Sequence, residues 1–249
     1  MIVLFTDFGL EGPYIGQVKA RILKESPNAT IIDLFSDAPM QNPKACSYLL
    51  AAYASEFPAG TVFLAVVDPG VGGRRPAVAV EAGERWYVGP GNGLFEMVAR
   101  RSRTVDIWEI DYAPNSVSAS FHGRDVFAPV AAALELGSPL EGPPRLGGYG
   151  GDDAWAGWPD DLAEIIYIDR FGNAITGLRA RFVEPTFALR VNHVYLEYAG
   201  VFSDVPKGQA FWYENSNGLV EVAVNQGRAD ELLGIQVGSD VWFGERASP

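Results

Sequence analysis

Histidine and cysteine are nearly missing from this chain, with two of the former and one of the latter among 249 residues. A lone cysteine, Cys46, cannot close an intrachain disulfide. It falls in an apolar, helix-like stretch and reads as a buried structural thiol. His122, His193 and one thiol, far apart in sequence, make no zinc-type cluster, so neither a metal nor another cofactor is expected. Basic charge is scarce as well: 19 Lys and Arg against 31 Asp and Glu leave a net charge of −12. That sign is wrong for a phosphate backbone, and nucleic acid is not an expected partner. No polybasic patch invites a membrane surface, and apolar runs such as residues 62–67 are far too short to span a bilayer. The opening run, Met1 to Asp7, lacks a basic leader and reads as a first strand rather than a signal peptide. The cytoplasm is the expected compartment. The Gly-x-Ser-x-Gly elbow, the phosphate loop and the dinucleotide glycine fingerprint are all missing too. An acidic surface does tolerate a cationic small molecule.

What is present is an ordinary globular composition, 48% hydrophobic and 20% charged, with 28 Gly and 17 Pro to make turns. A chain of this length builds one large domain, or a medium domain with a smaller one. Residues 1–145 alternate β-rich runs with helix-period segments, predicting an α/β domain whose mostly parallel sheet carries flanking helices. Strands are expected over 2–6, 29–35, 61–67 and 105–110, with a hairpin of 77–80 and 86–88 about Gly83-Glu84. Helices are expected over 16–24, ended by Pro27, and over 43–57, 94–101 and 125–136. Residues 146–161 lie in a Gly/Pro/Asp-rich stretch and read as a linker. Residues 162–249 are dominated by β-type runs at 163–168, 174–178, 188–198, 209–213, 219–224 and 240–243, with one helical piece at 228–233. They predict a small antiparallel β-domain or barrel.

Ligands of open α/β sheets bind at the carboxyl ends of parallel strands. Asp7 follows the first strand and Asp68 the central one. The segment Asp68-Pro69-Gly70-Val71-Gly72-Gly73-Arg74-Arg75 is glycine-rich, so its backbone can approach a ligand. Equally, it is a tight turn whose acid pairs with Arg74 or Arg75 on the surface. Phe121-His122-Gly123-Arg124-Asp125 precedes a helix, with Asp125 a candidate N-cap and His122 either structural or catalytic. Asp169-Arg170-Phe171-Gly172-Asn173 and Asn215-Ser216-Asn217-Gly218 have turn composition. Phe171, Phe202, Trp212 and Tyr213 are either core or a stacking wall for a base.

Together these segments resemble the S-adenosylmethionine hydroxide adenosyltransferase family, relatives of fluorinating and chlorinating enzymes. The resemblance rests on Thr6-Asp7-Phe8-Gly9, Val67-Asp68-Pro69-Gly70-Val71-Gly72 with Arg75, Gly89-Pro90-Gly91-Asn92-Gly93, and Phe121 to Asp125. It continues through Asp169 to Asn173, Asn215 to Gly218 and Val224-Asn225-Gln226-Gly227. Each motif is weak alone; their shared order along nearly the whole chain is specific. The resemblance implies an α/β domain joined to a C-terminal β-barrel. It also implies a homotrimer whose active sites lie at subunit interfaces. It implies hydrolysis of S-adenosyl-L-methionine, as substrate rather than cofactor, to adenosine and L-methionine. Asp68, Arg75 and His122 would handle the water, with Asp68 or His122 as base. Asp7 and Phe8 would lie at the substrate, Asp7 holding the ribose hydroxyls. Asn173, Asn215 and Ser216 would hold adenosine and methionine, with Phe171 or Phe202 against adenine.

The halide-using relatives have an uncharged residue in place of this acid, so Asp68 points to water rather than halide as the nucleophile. The alternatives are a halide-using transferase, or a non-catalytic binding protein for adenosine or S-adenosylmethionine. Where family members usually carry Thr-His before a Pro-Pro-like turn, this chain has Phe35-Ser36-Asp37-Ala38-Pro39-Met40.

Overall fold

A run of four or five apolar residues with no polar alternation suits only a strand covered on both faces, and residues 2–5 and 62–66 are of that kind. In the computed structural model, which describes residues 1–111, 117–140, 142, 144 and 155–244, both become fully buried strands, β1 (Ile2–Thr6) and β3 (Val62–Val66). The chain divides into two compact units, Met1–Gly157 and Trp158–Pro249. Residues 146–154 of the expected linker lie outside the described residues.

In the first unit α1 (Tyr14–Glu25), β2 (Ile31–Phe35) and α2 (Pro43–Tyr53) separate the strands. After β3 come β4 (Ala77–Ala82), β5 (Arg85–Pro90), α3 (Glu96–Arg100), β6 (Val105–Glu109) and α4 (Ala128–Glu135). One six-stranded sheet runs β2-β1-β3-β5-β4-β6. The β2, β1, β3 and β5 strands are mutually parallel, and β4 runs antiparallel to β5 and β6. Helices α1 and α4, with Phe127 immediately before α4, cover one face through Val18, Ile22, Phe127 and Ala131 against Ile2, Leu4, Leu64 and Val88. Burying one such large apolar side chain contributes about 1.5–3 kcal/mol, so Leu64→Ala should cost about 2–5 kcal/mol. The expected hairpin turns on Gly83 and Glu84, both at positive φ, as a type I′ connection requires.

All four expected helices differ at their edges, two of them for a local backbone reason. The 43–57 helix ends at Tyr53 and tightens into a 3-10 turn, Ala54–Glu56, ahead of Pro58. The 125–136 helix begins earlier, with a π-helical turn at Gly123–Phe127. There the Ala128 N–H reaches back five residues to the Gly123 carbonyl, and Pro129 has no N–H with which to resume the four-residue ladder.

In the second unit, β7 (Leu162–Ile168), β8 (Ala174–Arg179), β9 (Ala188–Val191), β10 (Val194–Leu196), β11 (Ala210–Glu214), β12 (Leu219–Val224), α5 (Ala229–Leu233) and β13 (Val241–Gly244) follow in order. They form two antiparallel sheets, β11-β12-β8-β7 and β10-β9-β13. Among the described residues these sheets do not close into the expected barrel. They share one apolar core that includes Ile165, Leu189, Val191, Trp212 and Val222. The expected strand at 188–198 is broken in two, because Asn192 takes a positive φ of 52° and His193 completes the turn. The polar Asn192-His193 pair marks the break in the sequence, and asparagine tolerates that backbone.

Candidate active site

Because β1 and β3 are parallel neighbours, with Thr6 beside Val66, the chain leaves both strands at the same edge of the sheet. Asp7 and Asp68 follow those two ends. The Asp7 carboxylate accepts the Gln41 N–H at 2.9 Å. Burial, with a smaller push from the negative Asp68, holds its pKa above the ordinary aspartate value. Phe8 belongs to a ring cluster with Tyr14 and Phe121 at centroid distances of 5.5–6.1 Å. Its ring approaches Gly123 so closely that an added Cβ would lie 3.1 Å from it.

Asp68 pairs with Arg75 rather than Arg74, and the pair is not a surface one: the side chains are 5% and 11% exposed. Arg75 Nε donates to both carboxylate oxygens at 3.0 Å, and Nη2 donates to Oδ2. The same Nη2 lies 3.1 Å from His122 Nδ1, while the guanidinium stacks over the Phe127 ring at 5.2 Å. A guanidinium only donates, so Nδ1 accepts, and a neutral His122 carries its proton on Nε2. Burial first, then the Arg75 charge, lowers the His122 pKa below the usual histidine value, against smaller opposing pulls from Asp68 and Asp125. His122, at the start of the π-helical turn, occupies the helix-entry position expected of Asp125. Asp125 lies inside that turn, where it holds Arg124 at 2.7 and 2.8 Å and accepts the Ser118 N–H. The N-cap expectation for Asp125 therefore fails, and the residue pairs locally with Arg124 instead.

In the sequence Gly89 to Gly93 stands out only as one of the motifs that carry the family resemblance, but in the structure it grips both ends of the Asp68–Arg75 loop. Asn92 Nδ2 donates to the Val67 carbonyl, immediately before Asp68, at 2.9 Å. The Gly91 N–H donates to the Pro76 carbonyl, immediately after Arg75, at 2.9 Å. Gly89 is required beside it, since a Cβ there would sit 2.0 Å from the Ala65 carbonyl oxygen. The available signal was a second glycine-rich turn one strand along; using it requires knowing that β5 neighbours β3.

In the second unit, the Asp169 carboxylate closes the β7–β8 turn. It accepts the Phe171 and Asn173 N–H groups at 2.8 and 2.9 Å and the Asn173 amide at 3.0 Å. This leaves Phe171 74% exposed and Asn173 only 7% exposed. Between β11 and β12, the Asn215 side chain accepts the N–H groups of Asn217 and Leu219, both at 3.0 Å. Its amide donates to Glu221 at 2.9 Å. Ser216, on the same turn, is exposed. Phe202 packs edge-on against Phe211 and Tyr213 at 5.2 and 5.4 Å. Trp212 is core, 1% exposed, Tyr213 is half-buried, and Phe171 and Phe202 are exposed. Asp7, Phe8, Asp68, Arg75 and His122 thus gather at one edge of the first unit. In the second unit, Phe171 and Asn173 share one turn and Asn215 and Ser216 another.

Comparison with known proteins adds a family. Residues 2–143 match the model described as SAM hydroxide adenosyltransferase N-terminal domain, and residues 163–242 match the corresponding C-terminal domain. The chain is 40% identical over 262 residues to an (R)-S-adenosyl-L-methionine hydrolase of Thermus thermophilus, covering 96% of this chain and 98% of that one. A protein of the same name from Salinispora arenicola is 36% identical over 252 residues, covering 95% and 94%. A solved structure of an uncharacterized conserved protein from Thermotoga maritima superposes with a TM-score of 0.86 at 32% identity, covering 98% and 99%.

Proposed function

This chain belongs to the SAM hydroxide adenosyltransferase family, and from that premise we propose that it hydrolyses S-adenosyl-L-methionine to adenosine and L-methionine. The observation that carries the reading is the nearly buried Asp68–Arg75 pair with His122 against the same guanidinium.

The chemistry asks little of the leaving group. Methionine departs from a sulfonium as a neutral thioether, and the electron pair of the breaking C5′–S bond goes to sulfur, so no acid is needed. The harder task is holding water, a poor nucleophile, in line with that bond. Asp68 accepts a hydrogen bond from the water and takes its proton as the O–C5′ bond forms. Arg75 fixes the carboxylate, and His122, with its proton on Nε2, donates to the water or the ribose. Positioning of this kind is worth several kcal/mol. A halide in the place of water would face the Asp68 carboxylate at a cost of about 4 kcal/mol for unit charges 4 Å apart at an effective dielectric of 20. Asp7 holds the ribose hydroxyls, with Phe8 beside them. Asn173, Asn215 and Ser216 hold the adenosine and methionine portions, with Phe171 or Phe202 against adenine. The enzyme works without a cofactor as a cytoplasmic homotrimer with active sites at its subunit interfaces.

The test is incubation of purified protein with S-adenosylmethionine in chloride-free buffer, following adenosine and methionine by chromatography beside Asp68→Ala. Equimolar products, lost in the variant, are expected. No adenosine from well-folded wild type would sink the proposal and leave a binding protein.

A further inference from the structure

Glu221 is a carboxylate that the proposed reaction does not use, yet it lies in β12 only 5% exposed. A buried carboxylate is normally met by a cation. Here the partners are neutral donors: Tyr213 Oη donates a hydrogen bond to Oε1 at 2.5 Å and Asn215 Nδ2 donates to Oε2 at 2.9 Å. The charged group acting on it is Asp169, which is of like sign. Keeping a desolvated acid in such a place is costly, and an apolar residue would fill a β-core position more cheaply.

The two donors indicate what the acid is for. Asn215 is a four-way amide: with Nδ2 taken by Glu221, its Oδ1 must face the other way, where it accepts the N–H groups of Asn217 and Leu219. Those bonds shape the turn that presents the exposed Ser216. Tyr213, the other donor, carries the ring against which Phe202 packs. One carboxylate therefore touches the supports of the Asn215-Ser216 turn and of the Phe202 ring, both in the proposed substrate-binding set.

We propose that Glu221 is the positioning residue of the substrate-binding face of the second unit, setting the Asn215 amide and the Tyr213 ring so that Ser216 and Phe202 are presented to S-adenosylmethionine. The inference rests on the hydrolase reading and deepens it. Glu221 acts through its neighbours, so its removal should weaken binding and leave the chemical step alone.

The experiment is steady-state kinetics with S-adenosylmethionine on Glu221→Ala, Glu221→Gln, Asn215→Ala and the Glu221→Ala/Asn215→Ala double variant. In Glu221→Ala, KM should rise about tenfold, the order for a buried donor stripped of its acceptor, with kcat within about twofold. Glu221→Gln, which still offers an oxygen to Asn215, should recover most of that loss. The double variant should fall short of additivity, exceeding Asn215→Ala only by what Glu221 contributes through Tyr213. An unchanged KM, a loss confined to kcat, or fully additive effects would overturn the inference. Should Glu221→Ala fail to fold by circular dichroism, Glu221→Asp replaces it, being one methylene too short to hold both donors; an unchanged KM there overturns the inference equally. Wild type that turns over with indifferent variants sinks only this inference. Wild type that does not turn over sinks the hydrolase reading instead. Adenosine calorimetry on the same proteins then judges Glu221 separately, and equal affinities count against it.

Discussion

The two units of this protein stabilise their candidate site loops in opposite ways. In the first, charge meets charge: the Asp68 carboxylate lies in the fork of Arg75, whose Nη2 also reaches His122. In the second, carboxylates meet neutral amides, Asp169 holding Asn173 and Glu221 holding Asn215. The contrast follows from topology. Parallel strands end together and crowd several loops and their charges at one edge. Antiparallel strands return through local turns, where asparagine satisfies the backbone without bringing in charge. Charge suits the activation of water, and fixed amides suit recognition of a base and an amino acid. The division to test is therefore that kcat belongs to the Asp68, Arg75 and His122 set of the first unit and KM to the asparagine turns of the second.

The largest effect is expected from Asp68→Asn, which keeps the shape of the side chain but not its basicity: kcat should fall about 10²- to 10⁴-fold, with KM nearly unchanged. A raised KM with intact kcat would break the division at its strongest point. Next is Arg75→Lys, which keeps the charge but loses the fork. Loss of a charged hydrogen bond, about 1.5–3 kcal/mol, corresponds to a fall in kcat of about one to two orders of magnitude, measured under saturating substrate. On the other side, Phe171→Ala removes a ring already 74% exposed, so stability should hold. KM should rise about tenfold if the ring stacks on adenine, and a flat KM would assign that role to Phe202. Asn92→Ala probes the grip on the Asp68 loop and should lower kcat by about tenfold or less, the worth of a neutral hydrogen bond.

How far the sequence foretold this arrangement depends on whether a signal is local. Asp7 and Asp68 could be placed at strand ends because residues 2–5 and 62–66 announce buried parallel strands by composition. The partner of Asp68 stayed undecided between Arg74 and Arg75, since two adjacent arginines have the same spacing signal and only the fold turns one inward. Asn92 was invisible as a support because its value depends on β5 lying beside β3, a matter of strand order. The π-helical turn beside His122 arises from a five-residue hydrogen bond next to Pro129, and the helical period across it looks ordinary. Glu221 reads as one polar residue in an apolar strand. Its importance appears only when Tyr213 and Asn215, from the facing strand and turn, are seen to converge on it.

The smallest expected effect is also the one that most directly tests the charged character of the first unit. His122 Nδ1 faces an arginine nitrogen at 3.1 Å, and protonating it would set two cations against each other. Burial acts in the same direction, and the pKa of the ring lies below its ordinary 6.5. An unfolded chain binds that proton near pH 6.5, whereas the folded one binds it only at lower pH. Through the window below 6.5 the unfolded state therefore holds more protons, and stability declines as pH falls; above 6.5 His122 contributes no pH dependence. The same titration should place an acid limb on kcat below pH 6.5. Proton NMR of the two histidine rings, assigned with His122→Gln, measures the pKa, and thermal melts across the window measure the linkage. A His122 ring titrating above 6.5 would mean that Arg75 does not face Nδ1, and the tautomer that makes His122 a donor to the water would fall with it.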